Sequence, residues 1–333
     1  MTCLLIEKHL STLYSLLYTN LMHSITFTCE TITPMFLSGA DGVTPELRAP
    51  SIKGALRFWW RAMNGHLSLE ELKRREGEIF GNTDQRSKFI LRVVPKKEII
   101  SKNSFKILNK REYDLIYMVY GAEDRNYYEI GTKFNVIIKS KSETIIDEIK
   151  TAFTALAHLG GLGAKSRNGF GSFMCNNIDD IEILKKYDNF HEEVNPAYTA
   201  FSNRAQIYFS NKGFANWKLA IKELKSLYAD SKKSLFPKNN RVYVGAPWKK
   251  IKEPERHAKL HIMSLFKMGE DYHYRITYLP YEYMKNYPDM TEDKIEKHLD
   301  KWEETIKKFN KNLENTEDSE GNYLINFMFN DND

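Results

Sequence analysis

The segment GGLGAKSRNGFG, residues 160–171, is the most informative stretch of this chain. It joins a helical apolar pattern at Ile145–Leu159 to a strand pattern at Phe170–Cys175. Five glycines in twelve residues favour a loop whose backbone approaches a ligand closely, because glycine lacks the side chain that would prevent such an approach. The alternative is a flexible helix-to-strand turn with no ligand.

Two nucleotide-binding motifs are excluded for this loop. A P-loop ending at Lys165 would need glycine where Ala164 and Leu159 stand, and it would follow a strand rather than a helix. A dinucleotide fingerprint fails too, since its third glycine is missing and the order of elements is again reversed. We therefore expect free loop amides to meet phosphates directly, with Lys165 and Arg167 neutralising their charge.

A second informative segment, SIKGALRFWWRAMNG, spans residues 51–65. Wound as a helix, it places its apolar residues on one broad face and Lys53, Arg57 and Arg61 in a basic stripe, with Trp60 at the edge. Cations beside an exposed aromatic ring suit single-stranded nucleic acid, because phosphates meet the cations and a base stacks on the ring. The alternative is a solvated cationic face with a tryptophan in the core.

Around these segments, the order of strands and helices is typical of a ferredoxin-like β-α-β-β-α-β unit, and the pattern starts again after residue 200. Strands are predicted at Ile25–Thr33, Phe89–Val94, Lys133–Ile138, Phe170–Cys175, Arg204–Phe209, Leu260–Phe266 and Tyr274–Leu279. Helices are predicted at Ser51–Gly65, Leu69–Ile79, Ile145–Leu159, Phe214–Tyr228 and Glu292–Leu313. The predicted fold class is α+β, with two tandem ferredoxin-like domains.

The length of 333 residues suits two domains, and 42% hydrophobic residues can fill two cores. We expect an N-terminal domain at 22–190 and a C-terminal domain at 200–333, with the charged residues 178–200 forming the connector. Residues 1–21 lack the features of a secretory signal and are interpreted as a leader, either non-native or an upstream-start extension, with Met22 as the alternative start.

Three cysteines, Cys3, Cys29 and Cys175, are too few and too far apart in sequence for a disulfide framework or a zinc site. The chain is therefore interpreted as reduced and cytoplasmic, with no metal and no cofactor. No apolar run approaches the length of a membrane helix, so no membrane partner is expected.

The net charge of +5 hides an uneven distribution. Residues 213–260 contain twelve Lys/Arg and four Asp/Glu, whereas residues 291–333 contain six and twelve. A basic region of this kind can follow a phosphate backbone, and Arg256 and Lys259 are its RNA-binding candidates. The alternative is a solvated polar loop.

His158 is a weak catalytic candidate, since it directly precedes the glycine-rich segment. Paired with Lys165, it could act as the general base or acid of a metal-independent ribonuclease. The alternative is a histidine that packs on the inner side of its helix.

Three stretches together carry a family resemblance: TITPMFLSGAD at residues 31–41, ELRAPSIKGALRFWWRAMNG at 46–65 and GGLGAKSRNGFGSF at 160–173. They resemble the RAMP superfamily of CRISPR-associated proteins, and within it the first-subunit family of the Cmr module in type III-B effector complexes. The resemblance implies two RRM-like domains and a subunit that caps a guide-RNA ribonucleoprotein near the 3′ region of the guide and helps engage target RNA. It implies guide or target RNA and other RAMP subunits as partners, and no small-molecule substrate.

The RNA-binding candidates are Lys53, Arg57, Trp60, Arg61, Gly160, Gly161, Gly163, Lys165, Arg167, Gly169, Gly171, Arg256 and Lys259. The helix cations and most of the loop residues match the family motif position by position. Three hypotheses stay open: a non-catalytic RNA-binding subunit, a guide-processing endoribonuclease that uses His158, and a scaffold that binds only protein.

Overall fold

A computed structural model describes residues 22–101, 113–187, 196, 198–237, 240–245, 259–281, 291–316 and 325–328. Within these ranges the chain is an α+β protein with two four-stranded antiparallel sheets. The strands are β1 His23–Thr31, β2 Phe89–Lys97, β3 Ile100–Ser101, β4 Tyr127–Tyr128, β5 Lys133–Ser140, β6 Phe173–Cys175, β7 Gln206–Phe209, β8 His261–Met268, β9 Asp271–Tyr278 and β10 Ile325–Met328. The helices are α1 Ala49–Ala62, α2 Leu69–Phe80, α3 Tyr113–Val119, α4 Glu143–Leu159, α5 Trp217–Lys225, α6 Ser231–Leu235 and α7 Glu292–Glu314.

The two sheets repeat one strand order. The first sheet runs β2-β5-β1-β6 and the second runs β10-β7-β9-β8. When the strands of each sheet are numbered by their occurrence in the chain, both sheets read 4-1-3-2 from one edge. Alternation along β1 buries Phe27 and Cys29 and exposes Thr28 between them, as expected for a strand with one face on a core.

Helix α1 starts at Ala49, two residues earlier than the predicted start at Ser51. Arg48 is the N-cap residue and makes no side-chain capping bond, while Pro50 lies in the first turn. Proline is tolerated there because the first amides of a helix have no intrahelical partner. Ser51 is therefore inside the helix, and the predicted start is wrong by two residues.

Helix α4 lies between the two sheets. It contacts β1 and β5 of the first sheet and β8 and β9 of the second, and most of its side chains are buried. Phe153 stacks on Phe27 of β1 with ring centroids 4.0 Å apart. Since the glycine-rich segment begins where α4 ends, α4 determines where that segment meets the second sheet.

Neither hydrophobic core belongs to one sheet alone. The core around α4 includes Phe201 and Ile262 from the C-terminal part of the chain. The core around α5 includes Phe36, Leu115 and Phe170 from the N-terminal part. The two parts therefore bury apolar surface against each other as well as within themselves.

Several predicted boundaries shift for local reasons. The strand predicted from Phe170 begins only at Phe173, because Gly171 has φ +67° and cannot continue a strand. The helix predicted at 214–228 is shorter: α5 ends at Lys225, and one π-helical turn follows at Ser226–Asp230. The predicted connector contains a 3₁₀ helix at Ile181–Tyr187.

Five elements were not predicted, namely β3, β4, α3, α6 and β10. Each is seven residues long or shorter, which is too short for a periodic pattern to identify. The leader at 1–21 lies outside the described residues, as do residues 188–195, 246–258 and 282–290.

The C-terminal helix α7 follows Thr291 as predicted, although the Thr291 side chain makes no capping bond. Its buried side includes Trp302, Ile306 and Phe309, and its other side is rich in charge. Across the described residues, no helix is long and apolar enough to cross a membrane.

The cysteines are closer in the fold than in the sequence. Cys29 on β1 lies directly opposite Cys175 on β6, and both are free thiols. The separation of this pair in the sequence does not hold in the fold, because the sheet order places β6 beside β1. In the described part of the chain, no three His, Cys, Asp or Glu residues are grouped so that they could hold a metal ion.

Replacing Phe153 with alanine should lower the free energy of unfolding by about 3–5 kcal/mol, because a fully buried ring is lost from the contact between α4 and β1. Urea titration followed by circular dichroism measures this change. The control is Met268→Ala at an exposed position, where we expect less than about 0.5 kcal/mol. Equal effects of the two substitutions would contradict the packing of α4.

Candidate nucleic-acid interface

The basic stripe of α1 forms, but part of its charge is neutralised. Arg57 and Arg61 both approach Glu76 of α2, at 3.4 and 3.2 Å, and the Arg57 guanidinium also donates to the carbonyl of Gly81. Lys53 lies over the ring of Phe89, with 4.8 Å from the ammonium to the ring centroid. The stripe thus keeps a positive surface, but two of its three cations share one carboxylate.

An open cavity of about 740 Å³ adjoins this stripe. Arg57 and the loop from Phe80 to Ser87, which includes Arg86 and Asp84, line it. The cavity contains charges of both signs, so its lining is less uniformly cationic than the sequence pattern of α1 suggests.

Trp60 does not lie on the surface. Its side chain is fully buried, its indole N–H donates to Glu148 of α4 at 2.9 Å, and its ring meets Phe80 edge-on. A base therefore has no access to the ring, and the prediction of an exposed stacking platform at Trp60 is wrong. A helical wheel places Trp60 at the edge of the apolar face, but it cannot show that α2 and α4 cover that edge.

The glycines of the loop are required by close packing against the protein itself. Gly163, Gly169 and Gly171 all have positive φ, and a Cβ at Gly171 would overlap the carbonyl oxygen of Leu162. A Cβ at Gly160 would lie 2.6 Å from the indole nitrogen of Trp59. Gly161 and Gly163 are equally crowded by the carbonyls of Phe170 and Phe36. The close approach that the sequence predicts is real, but its partner is the protein's own backbone.

The loop amides are likewise mostly engaged. Ala164 donates to Phe36, Gly169 to Met263 of β8 and Gly171 to Pro34, with N–O distances of 2.9–3.1 Å. The amides of Gly160, Leu162, Asn168 and Ser172 also donate within the protein. The prediction that the loop amides are free for phosphates is wrong for these seven groups, because a buried segment must satisfy its own backbone.

The side chains of the loop, in contrast, point to a shared cationic site. Arg167 lies over the ring of Phe58, 5.2 Å from its centroid, and donates to the carbonyl of Lys259. Burial lowers the pKa of Arg167, and burial together with Arg125 lowers the pKa of Lys165 although Glu123 opposes that effect. Lys165 has φ +63°, a conformation that is uncommon for a residue with a side chain.

Lys259 is at the centre of this site. Its ammonium donates to the side-chain oxygen of Asn168 at 2.7 Å and lies over the ring of Tyr228, 4.8 Å from the centroid. Burial lowers the pKa of Lys259 to about 7, with further lowering by the nearby cations Lys232, Lys165 and Arg167.

Lys232 completes the group from the second half of the chain. Its ammonium donates to the carbonyl of Gly245 at 2.9 Å, and burial followed by repulsion from Arg241 lowers its pKa to about 8. We call Lys165, Arg167, Lys232 and Lys259 the cation cluster. The three neighbouring charges that lower the pKa of Lys259 are all positive, so a bound anion would relieve their mutual repulsion.

The cation cluster joins three residues that the sequence predicts, Lys165, Arg167 and Lys259. Lys232 belongs to the basic region but was not singled out, and Tyr228 was missed. These residues come together because Arg167 contacts the chain at the start of β8. No local sequence pattern predicts this contact. Arg256, the remaining candidate from this region, lies outside the described residues.

His158 occupies a structural position at the end of α4. Its ring nitrogen Nε2 lies 3.0 Å from the carbonyl of Asp179, and its own carbonyl accepts hydrogen bonds from Arg275 at 2.7 Å and Ser264 at 3.2 Å. Burial, followed by the charge of Arg275, lowers the pKa of His158. The residue thus links α4 to β8 and β9 and to the chain that follows β6.

Comparison with known proteins gives a consistent result. Residues 28–174 match the family model of the RAMP superfamily. The chain is similar to two proteins of Pyrococcus furiosus, CRISPR system Cmr subunit Cmr1-2 (28% identical, covering 45% of this chain and 94% of that protein) and Cmr1-1 (35% identical, covering 44% and 47%). The matched part therefore spans about half the length of Cmr1-1.

Two solved structures share the fold over most of the chain. The crystal structure of Cmr1 from Pyrococcus furiosus in its apo form has a TM-score of 0.58 at 20% identity, covering 81% of this chain and 92% of that one. A chain in the cryo-EM structure of the Type III-B Cmr-beta bound to cognate target RNA has a TM-score of 0.50 at 13% identity, covering 86% and 99%. At these low sequence identities, the similarity shows a shared fold alone.

Replacing Gly171 with alanine should destabilise the fold by several kcal/mol more than replacing Gly42. Both glycines have positive φ, which costs a side-chain-bearing residue about 1–2 kcal/mol. A Cβ at Gly42 meets nothing within 4 Å, whereas one at Gly171 collides with the backbone of Leu162. Chemical denaturation of the two variants measures the difference. Equal destabilisation would show that the glycine-rich segment is not packed as described.

Proposed function

We propose that this chain is an RNA-binding, non-catalytic subunit of a type III-B CRISPR effector complex, and the match of residues 28–174 to the RAMP superfamily model supports this proposal. In this proposal it caps the assembly near the 3′ region of the guide RNA and helps engage target RNA, in the cytoplasm, alongside other RAMP subunits. The similar proteins of Pyrococcus furiosus are named as Cmr subunits, and one structural neighbour belongs to a complex bound to target RNA.

The cation cluster is the observation that carries the RNA-binding part of this proposal. Four cations from both halves of the chain converge, and two of them are depressed in pKa by burial and by the neighbouring cations. Like charges that lie close together repel one another, and a bound anion relieves this repulsion. The RNA backbone supplies such an anion at every nucleotide.

The sheet topology supports a tandem arrangement of two ferredoxin-like units. Both sheets have the order 4-1-3-2, with a helix after the first strand and another before the fourth. We propose domains at 22–190 and 200–333. The glycine-rich segment belongs to the first domain by sequence but also pairs with β8 of the second.

The surroundings of His158 support a non-catalytic assignment. The ring nitrogen Nε2 faces a backbone carbonyl, so this nitrogen carries the proton and is held in a hydrogen bond within the protein. The carbonyl of His158 meanwhile fixes Arg275 and Ser264. We propose that His158 connects the two domains rather than transferring a proton on RNA.

Replacing Lys232 and Lys259 together with glutamine should weaken RNA binding and reduce its salt dependence. Each lost phosphate contact lowers the slope of log K against log salt by about 0.7 for a single strand. Fluorescence anisotropy with a labelled single-stranded RNA at four salt concentrations measures both quantities. Glutamine can still hydrogen-bond at these positions, and removing a buried charge relieves its desolvation cost, so the variant should fold.

Two further variants are compared with the double variant: one is a control and the other tests a second surface. Lys141→Gln removes one exposed charge from the turn after β5 and should leave the slope unchanged. The triple variant Lys53→Gln, Arg57→Gln, Arg61→Gln tests the stripe of α1 as a second RNA surface. If the cluster variant binds with unchanged affinity and slope, the cation cluster is not the RNA site.

RNA affinity should fall as the pH rises from about 6 to 8.5. The pKa of Lys259 is about 7 and that of Lys232 about 8 in the free protein, so both groups are charged at low pH and lose their protons within this range. The neutral amines no longer attract phosphate, and each proton linked to binding changes affinity by up to about tenfold per pH unit. Anisotropy titrations at constant ionic strength measure the profile.

The control for this profile is Lys259→Arg, because arginine keeps its charge throughout the range. Its affinity should depend less on pH than that of the wild type, with the remaining change due to Lys232. Identical pH profiles for the two proteins would rule out Lys259 as the titrating contact.

A further inference from the structure

The short helix α3 exposes aromatic rings beside the cation cluster. Leu115, Met118 and Val119 are buried in the core around α5, while Tyr117 and Tyr120 face outward with 40% and 71% of their surface exposed. Large exposed aromatic side chains next to cations are the combination that binds single-stranded nucleic acid without regard to sequence. The sequence analysis assigned no role to either tyrosine.

Helix α3 is fixed in place from both sides. The side-chain amide of Asn168, in the glycine-rich segment, donates to the carbonyl of Met118 at 2.7 Å. Asp114 forms an ion pair with Lys225 of α5 at 2.9 Å. Because Asn168 also accepts the hydrogen bond from Lys259, one side chain connects α3 directly to the cation cluster.

Tyr117 lies near Tyr228, the ring that Lys259 of the cluster covers. Burial, and next the nearby phenol of Tyr117, raises the pKa of Tyr228, the ring on which Lys259 lies. Lys233, which follows Lys232 of the cluster, lies over Tyr117 with 5.2 Å between its ammonium and the ring centroid. Tyr117 therefore extends the aromatic and cationic surface from the buried cluster to the solvent-exposed side.

The position of Lys233 allows a ligand to replace it. Its side chain is exposed, and its other contact is an ion pair of 3.5 Å with Asp230, which is of the kind that contributes little to stability. A base that stacks on Tyr117 would displace this ammonium, which could then meet the adjoining phosphate.

We propose that Tyr117 stacks one unpaired base while the cation cluster holds the neighbouring phosphates, so that this site takes single-stranded RNA. This inference rests on the proposed function and specifies the form of RNA that it binds. A base within a duplex already stacks on its neighbours and is not available to the ring. A duplex of the same sequence should therefore bind more weakly at this site.

The test uses the full-length chain and a nine-nucleotide single-stranded oligo(U) RNA with one central 2-aminopurine. Binding to the wild type should quench the 2-aminopurine fluorescence, because the base stacks on an aromatic ring. Tyr117→Leu should lose the quenching and weaken binding about tenfold, whereas Tyr117→Phe should keep both. An unlabelled duplex competitor should displace the probe less well than an unlabelled single strand.

The matched control is Tyr272→Leu, which removes another partly exposed tyrosine with a lysine, Lys267, over its ring at 5.2 Å. Tyr272 pairs with Lys267 near the far end of the β8–β9 ladder, roughly 20 Å from His261 at the end next to the cluster. This control should bind as the wild type does. Thermal melts of all variants check that each is folded.

The outcomes separate this inference from the proposed function. If the wild type binds the probe and Lys259→Gln weakens binding, but Tyr117→Leu binds and quenches normally, the stacking site is wrong and the proposed function stands. The exposed tyrosines would then be a surface for protein. If the wild type does not bind the probe at all, both proposals fail.

Discussion

The backbone hydrogen bonds of the glycine-rich segment join the N-terminal and C-terminal halves of the chain, because the segment pairs with both. Ala164 bonds to Phe36 in the N-terminal half, and Gly169 bonds to Met263 on β8 in the C-terminal half. Both bonds require the chain to turn within a space that a Cβ would fill. Glycine is therefore needed here to bring the two halves of the chain together, and the charged side chains stand between the glycines.

The positions of those side chains explain why the cations of the two halves meet. Arg167 reaches the carbonyl of Lys259, and Asn168 accepts a hydrogen bond from the Lys259 ammonium. Lys259 is thus drawn over Tyr228 into a partly buried site, where its charge is destabilised by burial and by its neighbours. This site is complete only when both halves of the chain are folded and in contact.

Sequence reasoning predicted the parts of the site that lie within one local pattern. Lys165 and Arg167 stand in a conspicuous glycine-rich segment, and the alternation of β1 and the periodicity of α4 are strong enough to identify. Trp60 was misplaced because the helices that cover it come from other parts of the chain. Lys232 was included in the basic region without being assigned to RNA binding, and Tyr117 was missed, because the residues that they meet, Lys259 and Lys233, come from other parts of the sequence.

We propose that RNA contacts the cation cluster where the two halves of the chain meet. Photo-cross-linking with a 4-thiouridine-containing single-stranded RNA, followed by mass spectrometry of the peptides, identifies the residues that RNA touches. We expect cross-links within the glycine-rich segment 160–171, the segment around Tyr228 and Lys232, and the start of β8. Cross-links confined to α1, α2 and the loop between Phe80 and Ser87 would show that RNA binds elsewhere.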